Sequence, residues 1–192
     1  MKQLWILLAL LMAVSSAATA EENNHPSLNR GISITIFKAR HELWLYRGEK
    51  LSKVYQVFLG SSPEGDKDRR GDFKTPLGDY RVVEKKNDSK FHRFIGIDYP
   101  NLKDADQAYE DGRITAEQWV AILYAAETGT KPPWDTPLGG YIGIHGIGDD
   151  EEFKLRLIED MDWTNGCVAV TNRDVNELYH LLPIGTPVRI RE

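Results

Sequence analysis

Ile32, Ile34 and Ile36 alternate with Ser33 and Thr35, the period of two that buries one face of a β-strand and leaves the other polar. Leu43 and Leu45, with their aromatic neighbours Trp44 and Tyr46, continue the pattern into Gly48-Glu49. That dipeptide predicts a turn, and the apolar run over residues 54–59 predicts the return strand of a meander. Further runs rich in β-branched and aromatic residues predict strands over 80–84, 91–98, 141–147, 168–170 and 187–190.

Helical periodicity is confined to fewer places. Thr115 and Gln118 form a capping box opening a helix whose Trp119, Ile122, Leu123 and Ala126 share a face. Gly129 should end it, and Pro132-Pro133 forbids its continuation. Thr171 or Asn172 caps a second helix presenting Val175, Leu178, Tyr179 and Leu182, stopped by Pro183 and Gly185. Shorter helical turns are expected over 102–109 and 153–158. The pattern predicts a β-rich α+β fold, mostly antiparallel sheets with a few peripheral helices, carrying a partly helical insertion over 99–136 that could border a cleft.

The first residues stand apart from this pattern. Met1-Lys2-Gln3 carries one positive charge, residues 4–14 are uniformly apolar, and Ala18-Thr19-Ala20 offers small residues for cleavage. This is the arrangement of a secretory signal peptide over 1–20. The apolar run falls short of the roughly 20 residues that a membrane-spanning helix requires. A polar leader over 21–30 and one domain over 31–192 are therefore expected to work after export, in the periplasm, with no integral membrane segment once the signal is cleaved.

Composition narrows the partners. At 41% hydrophobic and 28% charged the chain is an ordinary globular one. Its 24 Lys and Arg against 29 Asp and Glu, without a basic run, suit neither nucleic acid nor anionic lipid. The chain has one cysteine, Cys167. In an oxidising compartment a lone thiol is either buried and inert or kept for its reactivity, and a cysteine zinc cluster is excluded. No metal and no cofactor is expected.

The neighbours of Cys167 favour reactivity. It follows Thr164-Asn165-Gly166, and His145 stands upstream at the end of the glycine-rich strand Tyr141-Ile142-Gly143-Ile144-His145-Gly146. A free thiol is only a few per cent thiolate at neutral pH, so a cysteine nucleophile needs an imidazole to take its proton. Gly166 allows a sharp turn that could face the amides of residues 166 and 167 toward an oxyanion. His92 could line the same cleft. The acidic run Asp149-Asp150-Glu151-Glu152 argues against reading the nearby glycines as a phosphate loop.

His before Cys, the Thr-x-Gly-Cys tetrapeptide followed by apolar Val168, and Thr75-Pro76-x-Gly78 upstream together resemble the YkuD-like L,D-transpeptidase catalytic domain over residues 32–190. The resemblance implies that fold, with Cys167 as nucleophile and His145 as proton acceptor and donor. It also implies Gly166 at the oxyanion hole, Gly146 orienting the imidazole through its carbonyl, and Thr164, Asn165, Tyr141 and His92 about the substrate. Many members carry Ser-His-Gly-Cys and an arginine two residues beyond the cysteine, where this chain has Asn165 and Ala169. Those departures bear on substrate and acceptor, not on the dyad.

The implied reaction is attack of Cys167 on the third residue of a peptidoglycan stem peptide, expelling the terminal D-alanine and leaving a thioester. An amine of a neighbouring stem, a lysine of an outer-membrane lipoprotein, or water would resolve it, giving a 3→3 cross-link, lipoprotein attachment, or a carboxypeptidase or amidase. Carbapenems would acylate the same sulfur. A sortase-like transpeptidase stays open, with Arg173 as its one nearby arginine, as does a non-catalytic wall-binding module.

Overall fold

The structure is a computed structural model, and it describes residues 31–158 and 161–192. The expected signal peptide and polar leader lie outside the described residues. β1 (Ile32–Phe37), β2 (Glu42–Arg47) and β3 (Lys50–Gln56) form the meander. β4 (Gly78–Ser89) and β5 (His92–Ile97) follow as a long hairpin. Then come α1 (Leu102–Glu110), α2 (Ala116–Thr128), β6 (Gly143–His145), α3 (Glu151–Ile158), β7 (Val168–Ala169), α4 (Asn172–Leu181) and β8 (Pro187–Arg191).

The strands lie in the order β3-β2-β1-β8-β4-β5-β6-β7. Most neighbours are antiparallel, while β1 with β8 and β6 with β7 run parallel. β4 joins the two halves. Its start, Gly78 to Arg81, pairs with β8, and from Val82 onward it pairs with β5 through two register irregularities. The isoleucines of β1 are buried with Leu43, Leu45, Val82, Ile95, Ile144 and the Val175-Leu178-Leu182 face of α4 in one apolar core. Each such side chain contributes roughly 1.5–3 kcal/mol by leaving water.

Several elements differ from the sequence expectation: the strands expected over 80–84 and 141–147 are Gly78–Ser89 and Gly143–His145, and the turn expected over 153–158 is the helix Glu151–Ile158. The return strand lies at Lys50–Gln56, not at 54–59. The apolar alternation continues through Tyr55, Val57 and Leu59, all buried, because the chain changes partner there. Val57 leaves β2, and the Phe58 amide donates to the Ala169 carbonyl at 2.9 Å while the Ala169 amide returns a bond to Phe58 at 2.8 Å. Hydrophobic periodicity records burial and does not see that exchange. The turn expected over 102–109 is a full helix, because Asn101 and Asp104 form a capping box.

α1 and α2 pack on each other around Ala105, Ala108, Ile114, Ile122 and Leu138, a small core separate from the main one. Among the described residues no helix is long and apolar enough to cross a membrane. Leu59, fully buried, belongs to the segment that braces residues 164–169. Leu59→Ala should cost about 2–5 kcal/mol in urea unfolding, and a loss below about 1 kcal/mol would show that this segment does not carry core packing.

Candidate active site

The segment bearing Cys167 is held on both edges. On one, β7 runs parallel to β6, with Ile144 opposite Val168 and His145 opposite Ala169. On the other, the Thr164 amide donates to Leu59 O and the Ser61 amide to Thr164 O, each at 3.0 Å. Residues two apart on a strand share a face, so this register, continued one residue before β7, sets Cys167 on the face of His145, two residues from the Ala169 that stands opposite it. Spacing in sequence alone could not supply that juxtaposition.

The turn before the cysteine is organised from within. The buried Thr164 hydroxyl donates to the Cys167 carbonyl at 2.7 Å and accepts from the Gly166 amide at 3.1 Å. Gly166 has φ +121°, and a Cβ there would lie 2.5 Å from the Lys74 carbonyl. No other residue fits the turn without displacing backbone.

His145 is almost fully buried. Its Nδ1 lies 2.7 Å from the Gly146 carbonyl. A carbonyl only accepts, so Nδ1 carries a proton, and in the neutral ring Nε2 then keeps its lone pair. Phe91 stacks on the ring at 4.5 Å, and Trp163 meets it edge-on at 5.8 Å. The carbonyl is itself fixed from behind. Asn172 Oδ1 accepts from the amides of Ile147 and Gly148 at 2.9 and 3.0 Å, and its Nδ2 donates to Gly148 O at 2.8 Å. A Cβ on Gly146 would fall 2.4 Å from Asn172 Oδ1.

Cys167 and His145 line one cavity of about 470 Å³ with Phe91, Tyr141, Trp163, Thr164 and Asn165. The sulfur donates to the Tyr141 carbonyl at 3.2 Å. Tyr141 presents that carbonyl from a left-handed backbone, φ +58°, a conformation that costs an L-residue roughly 1–2 kcal/mol. Burial pushes the Cys167 thiol up to about 11, against smaller downward pulls from the Gly143 amide and the Lys67 ammonium. Burial also lowers the His145 pKa, partly offset by the bond to Gly146. Both effects favour a neutral thiol beside a neutral imidazole in the resting site.

The expected site residues divide accordingly. Tyr141 and Asn165 are exposed and face the cavity, whereas the Thr164 hydroxyl is consumed within the turn. The Gly166 amide, expected toward an oxyanion, is turned to Thr164; of the two amides anticipated, only that of Cys167 remains for the role. His92 is not brought to the cleft. Its exposed ring reaches Asn176 Oδ1 at 2.9 Å; His92 leaves the β4–β5 turn with φ +75°, and it is Phe91, in that turn, that lies against the imidazole. Sequence reasoning passed over Phe91, Trp163 and the clamp made by Asn172, which it had weighed only as a helix cap. Among the described residues, no three His, Cys, Asp or Glu side chains gather to hold a metal ion.

Comparison with known proteins gives the family and the fold. A family model described as YkuD, L,D-transpeptidase catalytic domain, matches residues 31–190. YafK of Escherichia coli strain K12 is 28% identical over 181 residues, covering 90% of this chain and 56% of its own length. The helical cell shape determining protein Pgp2 from Campylobacter jejuni superposes with a TM-score of 0.53 at 22% identity, over 84% of this chain and 48% of that one. Bd1075 of Bdellovibrio bacteriovorus does so with 0.53 at 19% identity, over 83% and 47%. The chain thus spans about half the length of these relatives.

Because Cys167 is the sole thiol of the chain, its alkylation reports the site directly. The iodoacetamide rate in the free protein should keep rising with pH toward about 11, since a raised pKa retains the proton until pH passes it. A rate already level at neutral pH would mean a preformed thiolate and contradict the neutral pair.

Proposed function

The chain belongs to the L,D-transpeptidase catalytic domain family, and from that premise we propose that it is an exported, periplasmic cysteine acyltransferase acting on peptidoglycan stem peptides. The observation that carries this reading is the shared face of β6 and β7. It brings to one cavity the Cys167 thiol and a buried imidazole whose Nδ1 is engaged by the Gly146 carbonyl.

In the proposed reaction the stem peptide displaces water, and Cys167 Sγ adds to the carbonyl of the third residue as its proton passes to His145 Nε2. The imidazolium, held by Gly146 O, then returns the proton to the departing amine of D-alanine. The C–N bond breaks and a thioester remains. The Cys167 amide is the backbone donor assigned to the oxyanion, and such a donor is worth about 3 kcal/mol in the transition state. A second amine, from a neighbouring stem or a lipoprotein lysine, adds to the thioester, loses its proton to His145 and releases the thiol. Water following the same path would make the site a hydrolase.

A neutral dyad suits this sequence. Charge separation on Sγ and the buried imidazole is disfavoured by their surroundings, and arises when a bound carbonyl accepts the sulfur's electrons. Incubating the protein with disaccharide tetrapeptide and following products by mass spectrometry tests the reading. Expected are released D-alanine and an acyl adduct on Cys167, with dimer if an amine is the acceptor. Cys167→Ala should abolish release, and His145→Gln should reduce it by about 10²–10⁴-fold. An unmodified Cys167 with undiminished release in the alanine variant would refute the reading.

A further inference from the structure

A second lobe, of about 390 Å³, adjoins the cavity that holds Cys167. The two share Gly140, Tyr141, Ile142 and Asn165 as common wall, so an extended peptide crossing the sulfur would enter both. The walls differ in chemistry. Around Cys167 they are aromatic and uncharged, whereas the second lobe is lined by Lys67, Arg70 and one acid, Asp135, beside Trp134 and Phe73. In a chain of formal net charge −5, two cations against one acid at a cleft wall form a local reversal of sign.

The two cations are held differently. Lys67, 7% exposed, spends two of its three N–H bonds on Asp72 Oδ1 at 2.6 Å and Arg69 O at 3.0 Å. Asp72 therefore balances most of its charge. Arg70 has no carboxylate partner among the described residues. Its Nη2 donates to the carbonyls of Trp134 and Thr136, both at 3.2 Å, and its amide donates to Pro137 O at 2.9 Å. The two Nη2 bonds hold the guanidinium by one corner while the amide ties the Arg70 backbone to the same loop, leaving Nε and Nη1 without a protein acceptor among the described residues. A guanidinium so oriented is prepared for a two-pronged bond to a planar anion. Trp134, 6% exposed, adds an indole N–H that is buried without a partner in the same wall.

We infer that this lobe binds a free carboxylate of the peptide substrate, with Arg70 as its principal donor and the Lys67 ammonium behind it. The inference rests on the reading that the Cys167 cavity takes a stem peptide, and it adds the chemical feature by which the peptide is selected. A tetrapeptide stem offers two such groups near the scissile bond, the terminal carboxylate of D-alanine and the side-chain carboxylate of a diamino acid. Arg70 also staples the loop over 134–137, and a purely stapling role must be told apart from recognition.

Calorimetric titration of full chain carrying Cys167→Ala, which leaves peptide unreacted, separates these. Three disaccharide tetrapeptides are used: the free acid, one amidated at the terminal carboxyl, and one amidated at the diamino acid side chain. Adding Arg70→Gln should weaken binding of the free acid by about 10- to 100-fold, the worth of a charge-assisted bond. It should leave unchanged the affinity of whichever amide lacks the recognised group, which also shows the variant to be folded. Arg70→Lys, keeping charge without the fork, should fall between. Equal losses for all three peptides, no loss for any, or no binding at all would overturn the inference. Binding by the lobe without a thioester on Cys167 in the unmutated protein would instead count against the proposed reaction.

Discussion

The hydrogen bond from His145 Nδ1 to the Gly146 carbonyl, 2.7 Å long in a nearly closed setting, is the constraint on which the rest of the site depends. A neutral imidazole has one proton and two nitrogens, and whichever nitrogen is engaged decides what the other can do. Tying Nδ1 to an acceptor commits Nε2 to be the base. The carbonyl can hold that role because it belongs to a turn with little freedom. Asn172 takes up the two following amides and the Gly148 carbonyl, and Gly146 itself has no room for a side chain. A bond of one residue to its neighbour thus becomes a device supported from α4.

The surroundings then fix the electrical state of the pair. Phe91 and Trp163 enclose the imidazole, and burial acts on both partners in the direction that removes charge, lowering the histidine and raising the thiol. A thiolate–imidazolium pair, the usual resting form where a cysteine is exposed to a cation, finds little solvation here. Lys67 and the Gly143 amide pull the thiol the other way, so the sulfur is partly prepared for charge. In this arrangement charge on the sulfur is disfavoured until an electrophile is at hand to accept it.

Cys167 and His145, which the fold brings to one cavity, stood out as candidates in the sequence because chemistry and order coincide there: one thiol, a glycine before it and a histidine closing a glycine-rich strand. The strands of the meander were legible for the same reason that strands usually are, alternation imposed by one buried face. What escaped was tertiary in origin. The shift of β3 reflects residues 57–61 leaving β2 to brace the cysteine segment, a change of partner that preserves the apolar alternation. His92 was chosen over Phe91 because a histidine advertises chemistry, although the fold needed the phenyl ring to cover the imidazole. Asn172 reads as a helix cap in sequence, and its engagement with residues 146–148 depends on a contact across the chain. The second lobe is assembled from segments around 67–73, 134–141 and 165, too far apart for any local pattern to announce.

The account stands most directly on the protonation of His145, and ¹⁵N-resolved imidazole NMR of the protein at neutral pH measures it. The prediction is a neutral ring protonated at Nδ1, with Nε2 carrying the lone pair. A ring protonated at Nε2, or an imidazolium, would contradict it, because Nε2 could then accept no proton from Cys167.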